Sequence, residues 1–177
     1  MRVIGRCIRR SKVFDSMAED AIRFEIVRDG LPMAMDALRV ESSEEGYRSV
    51  DRLIAEWNDA MNTFDRVDEI LMTAWSGSEI AGVGGMTHDP VVSDALRLRR
   101  FYIRKRFRRA GLGTRLANLL LERSRPAGKP VYVNAGTSIA PDFWKAIGFV
   151  DDPAAGHTHV WAGGGQKTSE DIKRRAI

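Results

Sequence analysis

The stretch Leu96–Arg125, LRLRRFYIRKRFRRAGLGTRLANLLLERSR, decides the fold. An apolar and basic strand, Leu96 to Ile103, runs into a glycine turn, and the turn opens an amphipathic helix over 111–124 buried through Leu112, Leu116, Leu119 and Leu120. Such a turn leaves the first N–H groups of the helix without intrahelical partners, and the macrodipole adds partial positive charge at the same end. A ligand carrying a pyrophosphate is expected to bind there. The glycine spacing narrows the choice. A dinucleotide fingerprint needs a third glycine where this chain has the core residue Leu116, and a nucleoside-triphosphate loop needs Gly-Lys-Ser/Thr where this chain has Gly113-Thr114-Arg115.

Nine cationic residues crowd the same region: Arg97, Arg99, Arg100, Arg104, Lys105, Arg106, Arg108, Arg109 and Arg115. A charge run is commonly a solvated edge, but guanidinium groups beside a phosphate-binding turn match phosphate oxygens in bidentate fashion. Part of this cluster is therefore expected on phosphate.

What remains after the exclusions is Arg108-Arg109-Ala110-Gly111-Leu112-Gly113, an Arg-x-x-Gly-x-Gly loop directly after a strand ending Phe101-Tyr102-Ile103. It resembles the acyl-CoA-binding loop of the Gcn5-related N-acetyltransferase (GNAT) superfamily. Downstream, Ala140-Pro141-Asp142-Phe143-Trp144-Lys145-Ala146-Ile147-Gly148-Phe149 is similar to that family's last helix, with its Ala-x-x-Phe-Tyr-x-x-x-Gly-Phe pattern. The two motifs stand in order, with a strand from Val131 to Asn134 between them, and the resemblance spans residues 20 to 163.

The resemblance implies an α/β (α+β) fold with a mixed, mostly antiparallel sheet of about seven strands, helices on both faces and splayed central strands. It implies an acetyl-CoA-dependent N-acetyltransferase that passes the acetyl group to a primary amine of a small molecule, peptide or protein by direct attack in a ternary complex. The pantetheine arm would pair with the backbone of Phe101 and Ile103 as an added strand, one N–H polarising the thioester carbonyl. Arg108, Arg109, Gly111, Leu112, Gly113 and Thr114 would form the cofactor loop, with glycines where backbone must approach phosphate closely. Part of the arginine cluster would take the pyrophosphate and 3′-phosphate.

Two positions depart from the family pattern. Trp144 replaces the tyrosine that serves as general acid, and indole has no proton to release near neutral pH. It is expected to pack against the pantetheine or the core, leaving Ser138, water or the incoming ammonium to protonate the thiolate. Arg97 stands where the histone-acetylating branch has its glutamate base, which disfavours a histone-type mechanism. His159 is the best side-chain base by its ordinary pKa. His157 and His159 read as exposed residues on one strand face, with no third ligand for a metal, and His88 reads as a surface loop residue. Strand alternation places Arg97, Arg99, Phe101 and Ile103 on one face and Leu98, Arg100 and Tyr102 on the other, so Arg97 and Arg99 are candidates to favour anionic acceptors.

The rest of the chain fits this frame. Its 177 residues, 44% hydrophobic and 29% charged with net charge +4, suit one domain over 21–163, preceded by an extension or edge strand over 1–20 and followed by a mobile polar tail over 164–177. Residues 22–27 alternate as a half-buried strand, and the segment from Pro32 to Phe64 has helical spacing through Val50, Leu53, Ile54, Trp57, Met61 and Phe64, broken near Gly46. Glu69 to Trp75 and Glu79 to Met86 form a hairpin about Ser76-Gly77-Ser78. The single cysteine, Cys7, excludes an intrachain disulfide and fits a reducing cytoplasm. No apolar run reaches the roughly 20 residues of a membrane span, and no secretory h-region is present. An acyl-CoA sensor with little turnover and a nucleotide-binding protein are the alternatives; no aromatic-basic RNA motif is present, and no nucleic-acid partner is expected. Oligomeric state stays open, a homodimer being the commonest arrangement.

Overall fold

The computed structural model describes residues 21–137, 140–154, 156–161 and 163. The extension over 1–20 with Cys7, the tail over 164–177, and Ser138 lie outside the described residues. The chain order is β1 (Ile22–Val27), α1 (Met35–Glu44), α2 (Ser49–Asn58), β2 (Ile70–Ser76), β3 (Glu79–His88), β4 (Leu96–Ile103), α3 (Leu112–Ser124), β5 (Val131–Val133), α4 (Ala140–Ile147), β6 (Val150–Ala154) and β7 (His157–Trp161). No helix among these residues is long and apolar enough to cross a membrane.

One seven-stranded sheet runs in the order β1-β2-β3-β4-β5-β7-β6. Every neighbouring pair is antiparallel except β4 and β5. That exception follows from connectivity: β4 returns to β5 through α3, the crossover a parallel pair requires. Strand alternation divides most of the sheet's apolar residues between two cores, with a small third cluster of Ala95, Tyr132 and Val160. Met72, Ala74, Met86, Leu98 and Ile103 pack against Leu112, Leu116 and Leu120 of α3 and Trp144 of α4. Leu71, Trp75, Val83 and Tyr102 pack on the opposite face against Leu38 of α1 and Val50 and Leu53 of α2. Helices therefore cover both faces.

Alternation fails once along β4, where expectation and structure part. Tyr102 pairs with Val83 and Arg99 with Gly85, so three steps along β4 match two along β3. The extra residue is Arg100, whose φ of 56° lies in the left-handed region. A bulge of this kind reverses side-chain parity beyond it. Leu98, Phe101 and Ile103 consequently share the α3 face, while Arg99 and Tyr102 face α1 and α2. The grouping of Arg99 with Phe101 and Ile103 expected from strict alternation is thus corrected.

The second helix also ends earlier than its spacing predicts. Gly46, at φ 80°, divides α1 from α2 as expected, but α2 stops at Asn58 and Met61 is exposed. Phe64 is buried from a loop instead, in a left-handed conformation stabilised by its N–H donating to Asn62 Oδ1 at 3.2 Å. Its ring lies against Gly85, where a Cβ would fall 2.3 Å from Cε1. An absent side chain on β3 thereby seats the loop.

Ion pairs fasten α1 to the end of β4. Glu45 accepts from both Nη atoms of Arg108, each at 2.7 Å, and from the Tyr102 hydroxyl at 2.6 Å. Glu41 accepts from Arg104 Nε at 2.6 Å and from the Lys105 N–H at 2.7 Å. The Arg108 hydrogen bonds hold the Glu45 carboxyl below its ordinary range despite partial burial. Burial pushes Glu41 up, but the contacts to Arg104, Lys105 and Tyr102 outweigh it and leave it lowered too.

Two outcomes follow from this packing. Gly85→Ala should cost about 1–3 kcal/mol in urea unfolding, and less than the sum of the single effects when combined with Phe64→Ala, because the two sites touch; strict additivity would contradict the seat. Carboxylates with lowered folded pKa values stabilise the protein above the ordinary value of 4.5 and lose that contribution as pH falls through the folded values. Glu45→Gln should lower stability at neutral pH and flatten the acid limb of the stability profile, and an acid limb identical to that of the parent protein would count against the clasp.

Candidate active site

Beyond Leu98 and Val133 the parallel pair comes apart, because β5 ends at Val133 while β4 runs on to Ile103. This leaves a gap in the strand pairing along the edge of β4. The Arg104 N–H donates to Ala81 of β3 at 3.0 Å, so alternation turns the N–H groups of Phe101 and Ile103 away from β3 and toward this gap. The bulge is what aims them: without it, the gap-facing groups would belong to Arg100 and Tyr102.

The glycine loop follows the unpaired end of β4. Arg109 and Gly111 take φ values of 63° and 76°, and α3 begins immediately afterwards. The first N–H to bond within the helix is that of Arg115, donated to Gly111 at 3.0 Å. Those of Arg109, Ala110, Gly111, Leu112, Gly113 and Thr114 make no hydrogen bond among the described residues, no side chain caps the helix, and its first turn holds no acid. Uncapped donors at a helix start, with no carboxylate nearby, fit an anion. The two glycines serve different ends. Gly111 supplies the left-handed turn and has open space where a Cβ would be, whereas a Cβ on Gly113 would meet Phe143 and Ile103 at 3.3 and 3.4 Å. Gly113 therefore lets α3 approach the sheet and α4, rather than keeping a path clear for phosphate.

The cation cluster sorts itself by partner. Arg97 pairs with the fully buried Asp89 carboxylate at 2.6 Å and donates to the Gly156 carbonyl at 2.6 Å, tying the β3–β4 connection to the last hairpin. Burial pushes Asp89 up, but the N–H groups of Val92 and Val91 and the Arg97 guanidinium together leave it lowered. Arg99 and Arg100 both reach Glu56 of α2, and Arg104 and Arg106 both reach Glu79. Arg108, expected among the phosphate ligands, is committed elsewhere: besides Glu45 it donates from Nε to the Ile103 carbonyl at 2.8 Å and lies over the Tyr102 ring, and its N–H goes to Lys105. Among the described residues, Lys105, Arg109 and Arg115 have no carboxylate partner.

Trp144 is 4% exposed, its indole among Phe101, Phe143 and Phe149 with ring centroids 4.8–5.3 Å away. Of the two placements open to it, the structure takes the core, and the cofactor contact expected of it is not presented. The last-hairpin histidines are buried, not exposed as expected. His159 lies opposite Val133, with Nδ1 2.7 Å from Thr158 Oγ1 and Nε2 3.2 Å from Asp151 Oδ1. His157 stacks on Tyr132 with centroids 4.1 Å apart. His88 closes β3 and meets the Val67 carbonyl at 2.8 Å, half-buried where a surface loop residue was expected. No three His, Cys, Asp or Glu residues gather as a metal set among the described residues. Sequence reasoning missed Glu45, Glu56 and Asp89, whose carboxylates decide which arginines are free; nothing local marks them, since their partners lie 8 to 63 residues away.

No curated protein sequence is significantly similar to this chain. Among solved structures, a protein from Exiguobacterium sp. 255-15 assigned as an acetyltransferase superposes with a TM-score of 0.71 at 21% identity, over 80% of this chain and 93% of that one. An acetyltransferase from Streptococcus agalactiae 2603 gives 0.62 at 11% identity, over 78% and 95%. An aminoglycoside 6′-N-acetyltransferase complexed with coenzyme A gives 0.55 at 16% identity, over 78% and 92%. These likenesses establish a shared fold. The sequence itself matches the profile of the acetyltransferase (GNAT) domain over residues 39–159, well over half its length, and the chain therefore belongs to the GNAT acetyltransferase family.

Proposed function

We propose that this protein transfers the acetyl group of acetyl-CoA to a primary amine by direct attack in a ternary complex. The observation that carries this reading is two sets of backbone donors on one route, the gap-facing N–H groups of Phe101 and Ile103 and the unpartnered ones of Arg109 through Thr114 at the start of α3. A thioester arm ending in a pyrophosphate presents acceptors in that same linear order. The solved relative that holds coenzyme A has this fold, which supports the same ligand here.

The loop N–H groups would take the pyrophosphate, with Lys105, Arg109 and Arg115 free to reach the remaining phosphate. The arm would lie along β4 as an added strand. A gap-facing N–H, from Phe101 or Ile103, would stabilise negative charge on the thioester oxygen, a contribution of about 3–4 kcal/mol in other acyl-transfer sites. The neutral amine adds its lone pair to the carbonyl carbon, the C–N bond forms as the C–S bond breaks, the amine's surplus proton passes to water, and the departing thiolate is protonated. His159 is shut off from solvent by the hairpin, which favours water over it as the base. Ser138 stays the hydroxyl we assign to thiolate protonation, recovering its own proton from the water that took up the amine's.

One observation supports a second reading. Trp144, buried where the family carries its acidic tyrosine, gives the leaving thiolate no phenolic proton, as suits an acyl-CoA sensor with little turnover.

Calorimetry with acetyl-CoA and with ATP, followed by thiol release with a panel of primary amines, separates the readings. Tight acetyl-CoA binding with turnover of an amine is the expected result, binding without turnover marks the sensor, and retention of ATP alone would overturn both. Gly111→Val forces a β-branched residue to φ 76° and should weaken acetyl-CoA at least about tenfold while α3 persists by circular dichroism. Unchanged affinity in that variant would remove the loop from the site.

A further inference from the structure

Where β4 and β5 part stands a cation whose charge is only partly answered. Arg99 is the first residue of β4 past the Leu98–Val133 pair, so it stands where the two strands part. It pairs with Gly85, and the Phe64 ring over Gly85 walls one side of the same sheet face. Glu56 of α2 closes another side. That carboxylate meets Arg99 at 3.3 Å, a long contact, while Arg100 engages both of its oxygens through Nε and Nη2. One negative charge therefore faces two guanidinium groups. Glu69 acts on Arg99 from a distance, but its Oε1 accepts the His88 N–H at 3.1 Å. Burial and the neighbouring Arg100 hold the Arg99 guanidinium below its usual value, Glu56 offsetting them in part. The side chain is 28% exposed, and of its nitrogens only Nη2 has a hydrogen-bond partner among the described residues. Arg97, its neighbour two residues back, is locked on Asp89 and Gly156.

We propose that Arg99 is the acceptor-recognition residue, and that the acceptor is an amine bearing an anionic group, carboxylate or phosphate, which completes the pairing that Glu56 leaves unfinished. The inference rests on the transferase reading above and adds the acceptor's chemical class. A bidentate anion on the guanidinium fork would anchor the acceptor beside the gap-facing N–H groups and leave its amine free to reach the carbonyl carbon. A cationic acceptor such as a polyamine would meet the surplus positive charge instead.

The test uses the full chain with acetyl-CoA and primary amines matched in size: amino acids and phosphorylated amino sugars, their uncharged amide or hydroxyl counterparts, and polyamines. Expected is a higher kcat/KM for one anionic class than for its uncharged counterpart, the preferred class telling carboxylate from phosphate. Arg99→Ala should reduce that ratio on the order of tenfold to a hundredfold, chiefly through the acceptor's KM. Arg99→Lys should restore part of it, and calorimetric affinity for acetyl-CoA should stay within about twofold of the parent. Should Arg99→Ala fail to fold, the charge preference of the parent protein and its loss in Arg99→Gln decide the matter. Acetyl-CoA binding with equal or better use of uncharged or cationic amines, or with no amine acetylated, would overturn the acceptor assignment alone or in favour of the sensor. Absence of acetyl-CoA binding would overturn the transferase reading and this inference with it.

Discussion

The bulge at Arg100 is the constraint on which the rest of the site depends. One extra residue in β4 reverses the parity of everything beyond it, and two consequences follow from the same shift. The side chains of Phe101 and Ile103 join the α3 and α4 core, and their N–H groups turn toward the gap beside β5. A regular strand would set different N–H groups there and carry Arg100 into the core position that Phe101 occupies. The left-handed φ of Arg100 stores roughly 1–3 kcal/mol of strain, offset by the double contact of its guanidinium with Glu56. Glycines on the partner strand make room, since a Cβ at Gly84 would meet the Phe101 ring at 2.7 Å.

Around this strand the charged residues divide the work by partner rather than by type. Arg108 braces the loop to α1 through Glu45 and holds the Ile103 carbonyl, so the donors of the loop that follows are presented from a fixed base. Arg97 and Asp89 do the same for the last hairpin. Where they are partly exposed, as Arg108–Glu45 is, such pairs contribute modestly to stability one by one. Their greater effect is positional, because each ties together segments distant in sequence. What they leave over is a short set of cations around the glycine loop without carboxylate partners among the described residues, and an under-paired Arg99 where β4 and β5 part.

Several elements were legible without coordinates. The alternation of Ile22–Val27, the glycine break at Gly46, the hairpin about Gly77, and the strand-turn-helix unit from Leu96 to Ser124 all appear where local pattern places them, because each signal lies within a few residues of its effect. The loop motif with the Phe143–Phe149 pattern was enough to indicate the family, and the profile match agrees. Alternation misled at Arg100, since a bulge carries no signature in its own strand, and at Phe64, whose helical spacing continues into a loop held by a glycine on β3. The exposure of His157 and His159 was misread for a related reason: a strand of alternating polar residues looks solvated until neighbouring segments cover it.

By itself, then, the sequence determined the half-buried strand at Ile22–Val27, the hairpin about Gly77 and the strand, glycine turn and helix from Leu96 to Ser124, which follow from short-range periodicity and glycine placement, while the sheet with helices on both faces was implied by the family resemblance that two motifs carry. Only the tertiary structure decided which backbone donors face the gap, which arginines are neutralised and which keep charge to offer. The physical reason is range. Hydrophobic period and turn chemistry act within a few residues, whereas strand register and ion pairing join groups dozens of residues apart, and a guanidinium's availability is a property of the carboxylate beside it rather than of its own position in the chain.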